Sequence, residues 1–225
     1  MTTTAGDATM TLEGQEFLLM AERAVYWAKK RWLLVADTHW GKCQAFRDVG
    51  AALPVGPLER DLKRLRLAAE RVDAQRIIVL GDLVHGPASF APGMDELIRA
   101  WRPTLPCELA IVPGNHDRAL VSPRGREILE GWQVEVLPTR YEVEGFALAH
   151  EPPIVARHYT LCGHVHPAVR LRGRGERIKL PCFWLDREYR ALVLPAFSTF
   201  IDGAVVTVGQ DDERWATAGA RVWRV

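Results

Sequence analysis

Four cysteines in 225 residues (Cys43, Cys107, Cys162 and Cys182) are too few and too scattered for a disulfide scaffold, and no CxxC pair offers a zinc knuckle. They read as core or strand thiols in a reducing cytoplasm. Net charge is equally sparse: 29 Lys and Arg against 28 Asp and Glu leave +1, so overall charge selects no partner and only local clusters can. No apolar run approaches a membrane span. Met1 to Met10 is rich in Thr, Ala and Gly, with no basic segment followed by an apolar one, and reads as no signal peptide. Repeats, low-complexity tracts and linkers are also missing. What remains, 48% hydrophobic and 25% charged residues, is the balance of a globular protein with a sizeable core. The expectation is one cytoplasmic domain over 1–225, with residues 1–8 a flexible tail.

Hydrophobic patterning divides the chain. Phe17–Met20, Ala24–Trp27 and Trp32–Ala36 read as strands separated by polar turns. Pro57 opens a helix over Leu58–Val72, with Leu58, Leu62, Leu65 and Ala69 at helical spacing and Arg60, Lys63, Arg64, Arg66 and Arg71 on a solvated face. A strand over Arg76–Leu80, a helix around Met94–Trp101 and a strand over Leu109–Val112 follow. This strand–helix–strand repetition predicts a parallel sheet. After a short helix over Ser122–Glu130 the texture is strand: Gln133–Leu137, Tyr141–Val143, Phe146–Ala149, Tyr159–Cys162, Lys179–Leu185 and Ala191–Leu194. A charged turn, Asp211–Arg214, precedes a terminal strand over Ala220–Val225.

Chemistry collects where these apolar runs end. The run to Val112 closes in Pro113-Gly114 and presents Asn115, His116 and Asp117. Alone, that turn has two readings, a helix start capped by Asn115 or a catalytic strand end. Four other runs end alike, in Asp37 and His39, in Asp82, in His150, and in His164 and His166. Six of the seven histidines lie in or beside these segments; His158 stands apart as a surface or structural residue. Carboxylate, amide oxygen and imidazole without thiolate favour Mn, Fe or Zn. Seven donors exceed one tetrahedral zinc, so two metals are expected, with Asp82 bridging. Such pairs, about 3.5–4 Å apart, clamp the attacking and leaving oxygens of a phosphoryl group and lower the pKa of a shared water to give a hydroxide.

The motifs DxH, GD, GNHD, H and GHxH, in this order and each after an apolar run, resemble those of the calcineurin-like metallophosphoesterase family. The resemblance implies an α/β fold, a four-layer α/β/β/α sandwich of two mixed β-sheets flanked by helices. It implies Asp37, His39 and His166 as ligands of one metal and Asn115, His150 and His164 as ligands of the other, with Asp82 between. His116 is then the non-ligand histidine that contacts phosphate and protonates the leaving oxygen as a metal-bridging hydroxide attacks in line, and Asp117 orients its neighbours.

Asp37-Thr-His-Trp-Gly-Lys42, Ala45-Phe-Arg47, Gly81-Asp-Leu-Val-His85, His150-Glu-Pro152, Gly163-His-Val-His-Pro167, Leu180-Pro-Cys-Phe-Trp-Leu185 and Leu194-Pro-Ala-Phe197 are further similar to the bacterial ligase-associated DNA damage response endonucleases. This implies a manganese-dependent phosphodiesterase (Mn2+, with Fe or Zn as the other fits) that cuts single-stranded DNA in repair, beside a DNA ligase, an exonuclease-like protein and helicases. Trp40 stands where related sequences usually show Leu. Arg170, Arg172, Arg174, Arg177 and Lys179 crowd a Gly-punctuated hairpin, and Arg118, Arg124 and Arg126 follow the GNHD turn; both groups read as DNA-tracking cations or as solvated surface. Lys42 and Arg47 meet phosphate or a local Asp48. Trp184, Trp215 and Trp223 serve a homodimer surface or the core. No substrate-binding residue is assigned. Two other functions compete: a small-molecule phosphatase or nucleotide phosphodiesterase on the same site, and a non-catalytic binding scaffold, against which the presence of His116 argues.

Overall fold

The computed structural model describes residues 6–52, 56–155, 157–173 and 176–225. Seven strands form a first mixed sheet in chain order: β1 (Ala8–Leu12), β2 (Gln15–Met20), β3 (Ala24–Trp27), β4 (Trp32–Val35), β5 (Arg76–Leu80), β6 (Glu108–Val112) and β7 (Val134–Val136). The first four run antiparallel and β4 to β7 parallel, as the strand–helix repetition predicts. The crossovers carry α2 (Pro57–Arg71), α3 (Pro92–Trp101) and α4 (Pro123–Gly131), preceded in the chain by the short α1 (Lys42–Asp48).

The second sheet holds β8 (Arg140–Val143), β9 (Phe146–Ala149), β10 (Tyr159–Cys162), β11 (Pro167–Gly173), β12 (Glu176–Asp186), β13 (Ala191–Val193), β14 (Ala204–Val205), β15 (Glu213–Ala218) and β16 (Arg221–Arg224). Its spatial order is β14-β11-β12-β13-β10-β9-β8, with β15 between β12 and β16.

The period of two along each central strand divides its residues between two cores. Leu33, Val35, Ile77, Val79, Leu109 and Ile111 face Leu62, Leu65, Ile98, Ile128 and Leu129 of the helices. The alternate residues Leu34, Ala36, Ile78, Leu80, Ala110 and Val112 face Phe146, Leu148, Leu161, Phe183 and Leu192 of the second sheet. A strand covered on both faces has no place for a polar residue, hence the unbroken Ile77-Ile-Val-Leu80. The fold is the expected α/β sandwich of two mixed sheets. Its helices gather on the first sheet; after Gly131 the described residues form no α-helix.

Several expectations need revision. Residues 1–5 of the expected tail lie outside the described residues, but Asp7 is docked: its carboxylate accepts from Ala21 N (3.1 Å) and pairs with Arg71 (2.6 Å), and Ala8 already opens β1. The basic face of α2 is not simply solvated. Arg71 also pairs with Glu22 (2.6 Å), while Arg64 donates to the Phe197 carbonyl and pairs with the buried Asp61 (3.2 Å). Helix α1 was not expected, because none of its residues is buried and it shows no apolar stripe. Glu213 and Arg214 of the expected charged turn begin β15. Trp215 is buried, and Trp184 donates to Asp212 (3.0 Å). Trp40 closes the helical core against Trp101 and Trp132. No helix among the described residues is long and apolar enough to cross a membrane.

Candidate metal centre

The carboxyl ends of β4, β5 and β6 lie side by side because these strands are parallel and in register, Val35 beside Val79 beside Ile111. In the second sheet β9 and β10 are likewise parallel neighbours. Loops continue the pairing past the strands: Asp37 N donates to Gly81 O (3.1 Å), His39 N to Asp82 O (2.8 Å) and Gly163 N to His150 O (3.0 Å). His164 N donates across the sandwich to Asp37 Oδ2 (3.0 Å). All five expected strand ends therefore meet at one edge.

Two properties make this convergence possible. Asp37, His39, Asp82, His164 and His166 all have left-handed backbones, with φ of 54, 44, 53, 70 and 51°. Each costs of order 1–3 kcal/mol for a non-glycine residue and persists only where the surroundings impose it. Glycines of the motifs supply the remaining room. A Cβ on Gly163 would sit 2.5 Å from Asp37 Oδ2, and one on Gly114 would sit 2.5 Å from Asp82 N.

The side chains form two groups. Asp37, His39 and His166 have donor atoms within 4.8 Å of one another. In the other group His150 Nε2 lies 2.8 Å from Asn115 Oδ1 and 3.1 Å from His164 Nδ1. Asp82 stands between, with Oδ2 3.6 Å from His39 Nε2 and Oδ1 3.5 Å from His150 Nε2. Asp37, His39, Asp82 and His150 are buried, His166 is half-buried, and Asn115, His116 and His164 are exposed, so the edge opens to solvent.

A divalent cation fits what these atoms lack. His150 Nδ1 donates to the Leu80 carbonyl (3.1 Å), which leaves Nε2 an acceptor facing the acceptor Asn115 Oδ1. His39 Nε2 and His166 Nε2 are buried with no hydrogen-bond partner, even though His166 Nε2 lies 3.1 Å from Asp37 Oδ1. Burial, then the nearby Lys42 and the neighbouring imidazoles, lower the His39 pKa to about 2, so its approach to Asp82 is no ion pair. Buried imidazole nitrogens left without a hydrogen-bond partner and crowded against carboxylate oxygens are costly unless a cation joins them.

His116 sits above this cluster. Its backbone N donates to Asp82 Oδ1 (2.9 Å), and its ring lies 5.0 Å from that of His39. The N-cap role considered for Asn115 falls instead to Gly114. The Asp117 carboxylate accepts from Gly114 N (2.8 Å) and Val84 N (3.1 Å), tying two strand ends together, and this frees the Asn115 side chain to face His150. Burial, opposed by those two hydrogen bonds, pushes the Asp117 pKa up to about 6. His85, placed beside the motifs in the sequence but given no role there, also joins the cluster. Its ring stacks on His116 at 5.1 Å, and its Nδ1 is 3.5 Å from His39 Nδ1. The signal was the last residue of Gly81-Asp-Leu-Val-His85. His158 is exposed and immediately precedes β10, at the opposite end of that strand from His164.

The chain leaves His166 directly into the basic hairpin of β11 and β12. Arg170 is registered opposite Lys179 and Arg172 opposite Arg177, all four exposed, alternating with the pairs Val169–Leu180 and Leu171–Ile178. Like charges directly opposite each other destabilise a hairpin. Lys179 is relieved by Asp202; Arg174 lies outside the described residues. Of the other cations, Arg124 donates to Phe90 O (3.2 Å) and Arg118 is exposed. Arg47 donates to Gln44 Oε1 (2.9 Å), which in turn donates through Nε2 to Asp48 (2.7 Å). Lys42 stays half-buried beside the histidines, its pKa lowered by burial.

The calcineurin-like phosphoesterase model matches residues 30–181, the span that holds every one of these strand ends. Among solved structures, nuclease MPE of Pseudomonas putida is similar at 32% identity and a TM-score of 0.82, covering 98% of this chain and 100% of that one. Protein AQ665 of Aquifex aeolicus, of unknown function, is 20% identical with a TM-score of 0.40 over 64% of this chain and 81% of that one. Yfce, a phosphoesterase from E. coli, is 17% identical with a TM-score of 0.40 over 82% and 86%. No curated protein matches the chain.

Proposed function

The chain belongs to the calcineurin-like phosphoesterase family, the metal-dependent phosphoesterases, and on that premise we propose that it is a two-metal phosphodiesterase acting as an endonuclease on single-stranded DNA. The observation that carries the two-metal reading is Asp82, whose two oxygens each face a different group of acceptors. Asp37, His39 and His166 would hold one ion and Asn115, His150 and His164 the other, with Asp82 shared. Bound there, divalent ions supply positive charge to the phosphoryl oxygens and make water acidic enough to act as a nucleophile near neutral pH. Mn2+ is the ion this reading assigns, DNA repair its setting, and residues 1–225 its single domain.

The protein's own residues do the rest. The His85 carbonyl accepts from His116 Nδ1 (3.2 Å), which leaves Nε2 as the nitrogen that takes up a proton and gives it to the departing oxygen. Asp82 Oδ1 fixes the backbone of the same residue. Asp117 holds the turn to the end of β5. The exposed arginines of the hairpin, adjoining His166, meet phosphates along the strand, which explains why like charges are tolerated opposite one another. Support for DNA over a small phosphate ester comes from similarity to a nuclease along the whole chain and from the open, cation-flanked edge.

The test is nicking of circular single-stranded DNA in Mn2+, with and without EDTA. Nicking that EDTA abolishes is expected. Hydrolysis of bis(p-nitrophenyl) phosphate without nicking would eliminate DNA as substrate and leave a small-molecule phosphodiesterase.

A further inference from the structure

Beside the metal centre is a cavity of about 330 Å3 that the reaction described above does not use. It lies between α1 and the first turns of α2 and α3, and His39, which belongs to the metal cluster, forms part of its wall. Leu58, Met94, Leu97 and Phe200 make its apolar lining, the half-buried Lys42 and Arg47 add cations, and Glu59 and Asp61 add carboxylates on the α2 side. The volume is at the lower end of the range for small-ligand sites.

A line of rings joins this cavity to the reacting edge. His116 stacks on His85 (5.1 Å, 18°), His85 on Phe46 (6.4 Å, 20°), and Phe46 meets Phe200 edge-on (6.3 Å, 68°). Phe46 is 43% exposed on a helix that buries nothing, so core packing does not account for it. Phe46 and His116 are exposed and His85 and Phe200 half-buried, so the series offers ring faces at its surface, and rings beside cationic groups match the way single strands are bound, by stacking successive bases.

We propose that the cavity receives the unstacked nucleobase of the nucleotide adjoining the scissile phosphate, with Phe46 as the stacking platform on its path. The proposal rests on the DNA phosphodiesterase reading and adds the source of single-strand preference. A base within a duplex must first be unpaired and unstacked to enter, whereas a single strand offers it freely. Phe200 and the aliphatic wall take its faces. Lys42, whose charge reaches His39, His85 and Asp82, meets the adjoining phosphate.

Gly93 gives a clean test. It lines the cavity in the first turn of α3, and a Cβ added there has no atom within 4 Å. Gly93→Phe should therefore fill the cavity without disturbing the fold. Two binding constants are read by fluorescence anisotropy with Ca2+ in place of Mn2+, for an oligothymidylate and for an abasic oligomer of equal length and charge. The wild type should bind the oligothymidylate about tenfold more tightly, and the variant should lose that difference. In Mn2+ the variant should cleave single-stranded DNA about tenfold more slowly while hydrolysing bis(p-nitrophenyl) phosphate at the wild-type rate.

Equal affinity of the wild type for the two oligomers would overturn the proposal, as would a variant that keeps the full difference. A variant that loses both activities equally would show that the cavity supports the metal centre instead. A wild type that hydrolyses neither substrate would refute the phosphodiesterase reading, and the binding data in Ca2+ would still decide the cavity.

Discussion

Gly114→Ala isolates the geometry of Asp82 from every other property of the turn. The backbone there is extended (φ −102°, ψ −177°), so alanine meets no conformational penalty. What it meets is Asp82: the new Cβ would lie 2.5 Å from the amide nitrogen and closer still to Oδ1, where ordinary contact begins near 3.4 Å. Asp82 or the β6 turn must then retreat by roughly 1 Å. Overpacking of this kind costs about 1–3 kcal/mol, which lowers Tm by roughly 2–12 °C in a protein of this size. The effect on turnover is larger than the effect on stability. Asp82 faces both acceptor groups and anchors the His116 amide, and a shift of about 1 Å in a reacting geometry costs about 100-fold. Calorimetry and initial rates on bis(p-nitrophenyl) phosphate in Mn2+ measure the two separately. Gly145→Ala is the control. Its φ of 78° makes alanine strained, yet nothing lies within 4 Å, so stability should fall while turnover holds. If Gly114→Ala kept turnover within about twofold, Asp82 would not be the shared ligand.

Other perturbations separate the remaining roles. His116→Ala should retain metal but lose about 100- to 10,000-fold in turnover, and full activity would remove it as the leaving-group acid. Asp82→Ala should bring elemental analysis below two ions per chain; an unchanged content contradicts the bridge. EDTA should lower Tm, since ions bound only by the folded state stabilise it by about 2.7 kcal/mol at a hundredfold excess over Kd, and an unmoved Tm would mean that the acceptor cluster is satisfied without a cation. Far from the site, partial burial opposes ionisation of Asp212, but hydrogen bonds from Arg187 N, Gly209 N and Trp184 Nε1 hold its pKa below the ordinary value. A depressed carboxyl pKa stabilises the fold above about pH 4 and ceases to do so as pH falls through the folded value. Asp212→Asn should thus lower Tm at neutral pH and converge with the wild type in acid; a gap independent of pH would refute the linkage.

The parts of this structure that could be read from the sequence are those written locally. Ile77-Ile-Val-Leu80 announces a strand covered on both faces, and the polar residues just past Val35, Leu80, Val112, Ala149 and Cys162 announce the chemistry. Each motif remained ambiguous by itself, and their recurrence resolved it. What was not legible depends on partners distant in the chain. Arg64 looked solvated because its acceptor, the Phe197 carbonyl, is 133 residues away; Asp7 looked frayed because Arg71 is 64 residues away. Helix α1 has no buried residue to set a period. The left-handed backbones of Asp37, His39 and His166 could not be placed from composition, since Asp and His enter that region more often than most residues but most Asp and His do not adopt it. His85, seen in its motif but given no role, was hidden for a related reason, as its proximity to His39 and His116 exists only once three strand ends are brought together.

These unwritten features have a common consequence. Each proposed ligand group draws from both sheets: Asp37 and His39 with His166 across the sandwich, and Asn115 with His150 and His164 across it. The ions would therefore cross-link the two sheets at an edge that carries five left-handed residues and two buried imidazole nitrogens without a hydrogen-bond partner. Among the described residues, His164 N donates to both oxygens of Asp37 at 3.0 and 3.2 Å and so joins β4's end to β10's end without a metal. The metal-free protein should accordingly loosen first at this edge and last in the Ile78, Leu80 and Leu161 core behind it, an order that amide exchange measured with and without Mn2+ would read directly. Uniform protection of Gly81, Gly114 and Gly163 in both states would show that the sandwich holds these ends in place by packing alone, and that the ions act on the substrate without acting on the fold.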